Sequence, residues 1–143
     1  MDDGLQIRAL NADEEAARLS ALALAERLAG DVGPLSVDQV QAVYDALLRR
    51  QDRSIEIQIA VGIALGELIR VKSDCEWVRV TDEYGSETSL APMGLHGACH
   101  PISMIQKRLS NEDEIDIAEL RDRTIALIAQ RVSEGGWAAR RGS

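Results

Sequence analysis

The sequence predicts an α+β domain of about five helices, with a small antiparallel meander of two to three strands inserted between helix three and helix four. Three observations predict it. A side-chain acceptor followed three residues later by Glu or Gln, the pattern of a capping box or its acidic equivalent, recurs at Asn11/Glu14, Ser36/Gln39, Ser103/Gln106 and Asp116/Glu119. Behind several of these starts, apolar residues repeat at helical spacing. Between the third and fourth helical stretches the period changes to two, in β-branched and aromatic residues bounded by turn-formers.

The first helix is expected over residues 11–28, rich in Ala, Leu, Glu and Arg and closed by Gly30, a residue suited to a left-handed cap. The second starts at Ser36, with Leu35 and Val40 placed as a hydrophobic staple; Val40, Val43, Tyr44, Leu47 and Leu48 form its apolar face. Arg49 and Arg50 fall in its expected last turn, where cations oppose the negative end of the helix dipole. Residues 55–69 carry two patterns at once. Ile55, Ile57, Ile59, Val61, Ile63 and Leu65 alternate as a strand would, but fifteen unbroken residues exceed an ordinary strand, and Gly62 and Gly66 would weaken one. Read as a helix the segment is apolar almost all round, which predicts the central buried helix, with the two glycines admitting another backbone closely.

The meander begins at Trp77-Val78-Arg79-Val80-Thr81, turns at Asp82-Glu83-Tyr84-Gly85 and returns over residues 87–91 to halt at Pro92. Residues 94–101, bounded by prolines, are a weaker candidate for a third, edge strand. Trp77, alternating with the valines, is expected to fill the core, because the chain has only two Trp, two Tyr and no Phe. A short helix is expected from Ser103 to about Ser110, then a polar turn, then a last helix from Asp116 whose core face carries Ile117, Leu120, Leu127, Ile128 and Val132. Gly135-Gly136 ends it. Residues 5–134 therefore read as a single domain and residues 135–143, without periodicity, as a mobile tail. At 143 residues the chain is long enough for an aliphatic core without disulfides or metals.

Charge narrows the function classes. Sixteen basic against twenty-four acidic residues give a net charge of -8, which repels phosphate backbones and anionic lipid and attracts basic partners. The basic residues occur as isolated pairs, Arg49-Arg50, Lys107-Arg108 and Arg140-Arg141. Neither nucleic acid nor membrane is expected as a partner. The acidic opening Met1-Asp2-Asp3 is unlike a secretory signal, and the most apolar stretch, residues 59–65, is far shorter than the ~20 residues of a membrane helix, so a cytoplasmic location is expected, with Cys75 and Cys99 as free thiols.

Three stretches, Ala64-Leu65-Gly66-Glu67-Leu68, then Glu76-Trp77-Val78-Arg79-Val80-Thr81-Asp82-Glu83-Tyr84-Gly85, then Pro101-Ile102-Ser103-Met104-Ile105-Gln106-Lys107-Arg108, resemble a bacterial family known only as a domain of unknown function. The resemblance covers roughly residues 55–117, a little under half the chain. It implies a helix, hairpin, helix order and brings no activity with it. The segment His96-Gly97-Ala98-Cys99-His100 departs from the family pattern, in which apolar strand residues precede the proline, so any chemistry there belongs to this chain alone.

Two function classes follow. The leading one is a non-enzymatic interaction protein that engages a basic protein, in its most concrete form a bacterial immunity protein neutralising a toxin. Its expected binding residues are Asp82, Glu83, Tyr84 and Glu87 at the turn, an aromatic anchor ringed by negative charge, with Lys107 and Arg108 on the following helix. The alternative is a small metal- or thiol-dependent enzyme built on His96, Cys99 and His100, the one cluster of metal-capable side chains. Half of a zinc-ligand arrangement is missing from it, and in an extended segment Cys99 and His100 point to opposite faces. No phosphate-binding glycine loop, dinucleotide fingerprint, nucleophile elbow or His-Glu-x-x-His helix is present. No cofactor, metal or catalytic residue is therefore assigned.

Overall fold

The computed structural model describes residues 4–30, 33–50 and 53–140. The order is β1 (Gln6–Ala9), α1 (Ala12–Leu28), α2 (Val37–Leu48), α3 (Ile55–Arg70), β2 (Cys75–Asp82), β3 (Gly85–Pro92), α4 (Pro101–Ser110) and α5 (Ile117–Ser133). The fold is α+β, as expected. Met1, Asp2, Asp3 and Arg141, on which expectations about the chain start and a basic pair rested, lie outside the described residues.

The caps written in the sequence are mostly made. Asn11 and Ser36 each close a full capping box, with Glu14 and Gln39, and Asp116 accepts from the Glu119 backbone N–H. Two expectations are corrected. α2 ends at Leu48 with Arg49 as its C-cap, so neither Arg49 nor Arg50 sits in its last turn. α4 starts at Pro101, whose fixed φ suits a first helical position, and its N-cap His100 makes no side-chain cap bond. Ser103 instead donates its hydroxyl to the Glu87 carboxylate at 2.8 Å, tying α4 to β3.

α3 is the centre of the molecule, packed on α1, α2, α4 and α5. Residues 60–66 are buried without interruption. Both glycines are needed. A methyl at Gly62 would lie 2.5 Å from the Ile102 Cα, and one at Gly66 would enter the Trp77 ring and lie 3.2 Å from Pro101. The core is aliphatic around Tyr44, whose hydroxyl donates to the Asp113 carbonyl at 2.7 Å and so remains satisfied at full burial. On α5 the inward stripe is Ile117, Leu120, Thr124 and Ile128; Leu127 and Val132, expected in the core, are 61% and 45% exposed. Thr124 can take an interior place because its hydroxyl donates to the Leu120 carbonyl of its own helix at 2.7 Å.

The sheet has the order β1-β2-β3, antiparallel throughout. Its third strand is the N-terminal segment Gln6–Ala9, not residues 94–101, which contribute only isolated bridges, Cys99 to Leu90 and Leu95 to Ala139. Four residues are too few to display a period, whereas the proline-bounded segment merely looked extended. Both faces of β2 are covered. Trp77 packs on the helical core, while Val78 and Val80, with Ala91, form a second cluster under Leu5, Ile7 and Ala98.

The Trp77 indole N–H donates to Glu67 at 2.7 Å, Arg70 clasps the same carboxylate through two 2.8 Å bonds, and Arg18 stacks 5.6 Å above the indole. Burial acts to raise the Glu67 pKa, but the hydrogen bonds from Arg70 and Trp77 and the charge of Arg18 outweigh it and hold the carboxyl below its ordinary value. Of the segment expected as a mobile tail, residues 137–140 run along the 94–97 loop. The Trp137 ring covers Gly97, Ala138 accepts from the His96 N–H at 2.7 Å, and the Arg140 guanidinium donates to the Pro92 and Leu95 carbonyls at 3.1 Å. Among the described residues no helix is long and apolar enough to cross a membrane.

Candidate functional site

The β2–β3 connection is as tight as a hairpin allows: Asp82 pairs with Gly85, leaving Glu83 and Tyr84 as the loop. Among the described residues Glu112 alone combines a side chain with positive φ, so Glu83 and Tyr84 keep ordinary φ and the left-handed step falls on Gly85 at φ +145°. The Asp82 carboxylate accepts from the backbone N–H of Tyr84 at 2.8 Å and of Gly85 at 3.1 Å, an Asx arrangement that fixes the loop locally. Behind it, Arg79 donates to the Ser86 and Thr88 hydroxyls and lies 3.5 Å from Glu14, stiffening the hairpin against α1. The result is a braced tip that carries Tyr84 at 90% exposure.

Asp82, Tyr84 and Glu87 line one hollow of about 240 Å³, and His100 joins them from the α4 N-cap. Glu87 is already engaged by the Ser103 hydroxyl and backbone N–H and lies 3.9 Å from the His100 Nδ1. That nitrogen is 2.7 Å from the Ser89 hydroxyl, which is fully buried. Ser89, His100 and Glu87 thus form a connected polar group that braces α4 on the sheet. Lys107 and Arg108 are not part of this hollow. Lys107 is exposed further along α4, and Arg108 lines a different hollow, between α4 and α5. Glu83 stands exposed at the tip beside Tyr84.

The His96, Cys99, His100 cluster comes apart in three dimensions. Among the described residues no three His, Cys, Asp or Glu side chains are grouped to hold a metal. The backbone of His96 bonds to Ala138, that of Cys99 pairs with Leu90, and the ring of His100 meets Ser89. Burial pushes the Cys99 thiol up to about 12, with the neighbouring Cys75 adding to the rise, and burial also raises Cys75. Both cysteines are free. At pH 8 a thiol near 12 carries about a thousandfold less thiolate than one near its ordinary ~8.5. Cys99 is therefore expected to resist a disulfide reagent in the folded protein and to react fully in denaturant; rapid labelling of both thiols in the native state would refute this burial argument.

The sequence did not point to two further hollows. One, of about 410 Å³, lies between α1, the hairpin and α4 and contains Arg18 and Arg79 above Ile59 and Ile63. Both arginines are already engaged, Arg18 by Glu15 and Arg79 by Glu14 and two hydroxyls. The other is the α4–α5 hollow. Its members lie far apart in sequence and no local spacing could have gathered them.

Residues 36–120 match a family described as a domain of unknown function (DUF3806). A crystal structure from Bacteroides thetaiotaomicron VPI-5482 has a similar fold, with a TM-score of 0.71 at 14% identity over 87% of this chain and 50% of that one. The chain thus spans half the length of that structure, and the likeness is one of fold alone. No curated protein matches.

Proposed function

This chain belongs to the DUF3806 family, and from that premise we propose that it is a non-enzymatic, acidic protein-binding domain which grips a basic partner at the hairpin tip. The observation that carries the reading is Tyr84, 90% exposed on a turn braced by its own Asp82. An aromatic side chain held ready on a stiff loop loses little entropy on docking, and aromatic anchors dominate the energetics of interfaces. Asp82 and Glu83 flank it, in a chain of net charge -8, which favours rapid encounter with a basic surface. A toxin neutralised by its immunity protein is the most concrete partner of this chemistry. The thiol-enzyme alternative requires Cys99 as a nucleophile, and its burial opposes that.

The test is retention of partners from extracts of the source organism by immobilised wild-type protein, Tyr84→Ala, Glu83→Lys and Asp82→Asn. A basic protein held at low salt and released by raised salt is expected. Tyr84→Ala should weaken it by about 2 kcal/mol, roughly thirtyfold, as for an anchor residue. Asp82→Asn keeps the turn acceptor while removing the charge, and is expected to act mainly on the salt dependence. Equal retention of the same basic protein by wild type, Tyr84→Ala and Glu83→Lys would end the proposal.

A further inference from the structure

The α4–α5 hollow differs from the rest of the surface in its charge. It encloses about 350 Å³, with Met104, Leu127, Ile128 and Trp137 among its apolar lining and the three arginines Arg108, Arg123 and Arg131 around them. Arg123 and Arg131 are two helical turns apart on α5 with Leu127 between them, a cation, apolar, cation stripe about 12 Å long. Arg108 reaches in from α4, its guanidinium donating to the Met104 carbonyl of its own helix. Among the described residues these three guanidiniums have a single acidic neighbour within ion-pair distance, Glu119 at 3.7 Å from Arg123. That is a local excess of positive charge in a chain of net charge -8.

The apolar part is equally specific. Leu127 is 61% exposed, so the hollow offers unburied aliphatic surface. Trp137 supplies a wall held in place from behind, because its ring lies on Gly97 and the following residues bond to the 94–97 loop. Apolar walls with a few convergent charged groups characterise small-molecule sites, and this volume lies near the lower end of their usual range of about 300 to 1,000 Å³. At ~30 Å³ per water-sized group it accommodates about twelve heavy atoms.

We infer that the α4–α5 hollow is a binding site for a small organic anion with an apolar body, such as a medium-chain carboxylate. The chain of such a ligand would lie over Met104, Leu127 and Ile128 against Trp137, and its carboxylate would take the charge-assisted hydrogen bonds the guanidiniums are equipped to give. This site involves none of the hairpin-tip residues and stands independently of the protein partner proposed above.

The test is calorimetric titration of the full chain with decanoate and, separately, with decylammonium, an equally apolar cation. Saturable binding of one decanoate is expected, at least tenfold tighter than any binding of decylammonium. Arg108→Gln/Arg131→Gln should weaken decanoate at least tenfold, and Leu127→Glu should abolish the binding. Leu127 is exposed, so an unchanged thermal melt is expected to accompany the loss in Leu127→Glu. Tyr84→Ala should bind decanoate as the wild type does. Absence of saturable decanoate binding, equal affinity for decylammonium, or an undiminished affinity in the double arginine variant would each overturn the inference.

Discussion

Gly62→Ala is expected to destabilise the protein, although the same change in an exposed helix would stabilise it. Relative to glycine, alanine contributes about 1 kcal/mol in a helix interior. Here the new methyl would sit 2.5 Å from the Ile102 Cα and 3.1 Å from the Ile102 nitrogen. Those atoms are backbone of α4 and cannot rotate away. α4 must shift off α3, and overpacking of this kind costs about 1 to 3 kcal/mol or more. Because the obstacle is backbone, the steric term falls at the upper end of that range and wins, with a net loss of about 2 kcal/mol and, for a domain of this size, a drop in Tm of about 7 °C. The shift would also strain the Ser103 to Glu87 bond that fastens α4 to β3. Thermal melts followed by circular dichroism decide the matter, and a raised Tm would mean that α3 and α4 do not approach at this point.

Trp77→Ala is expected to have the larger effect, about 3 to 5 kcal/mol of lost stability, the range for removing a large side chain that packs on the core. Against a total of about 5 to 15 kcal/mol this threatens folding at 37 °C. Three contributions vanish together. The ring no longer fills the space over Gly66, Glu67 loses its indole donor, and Arg18 loses the aromatic face beneath it. Trp77→Phe removes the indole donor, for which about 1.5 to 3 kcal/mol is typical with a charged acceptor, together with the outer edge of the ring that lies over Gly66, while it leaves an aromatic group on the core, so a loss smaller than that of Trp77→Ala is expected. A double-mutant cycle gives the sharper check. Gly66→Ala alone drives a methyl into the indole, so it should destabilise the wild type; in the Trp77→Ala background that obstacle is gone, and the same change should be close to neutral. Additive effects in denaturant titrations would contradict the packing described here.

The two proposed surfaces differ in physical character as well as in place. The hairpin tip projects an aromatic group amid negative charge, as suits an encounter with a large basic partner. The α4–α5 hollow is recessed, apolar and ringed by cations, as suits a small anion. Lys107 and Arg108, expected as further binding residues on the following helix, are separated from the turn because α4 runs away from β3 after Ser103; Arg108 points toward α5 instead.

What the amino-acid order determined by itself was local. Capping residues, apolar spacing and turn formers placed α1, α2, α3, the hairpin and α5 nearly to the residue, because each signal rests on interactions among residues a few positions apart. The exposed tyrosine at the turn was legible for the same reason, as was the need for Gly62 and Gly66 on a helix apolar all round. Tertiary structure alone decided the rest. Strand β1 exists only because β2 offers it an edge, and residues 137–140 are ordered only by the loop they meet. Leu127 faces outward and Thr124 inward because α5 presents the stripe 117, 120, 124, 128 to α3, a choice that depends on the partner helix. His96, Cys99 and His100, adjacent in sequence, are drawn apart by three different neighbours, while Arg108, Arg123, Arg131 and Trp137, scattered over thirty positions, are drawn together. Proximity along a chain limits which side chains can meet, but burial and backbone pairing choose among the possibilities, and both are properties of the folded whole.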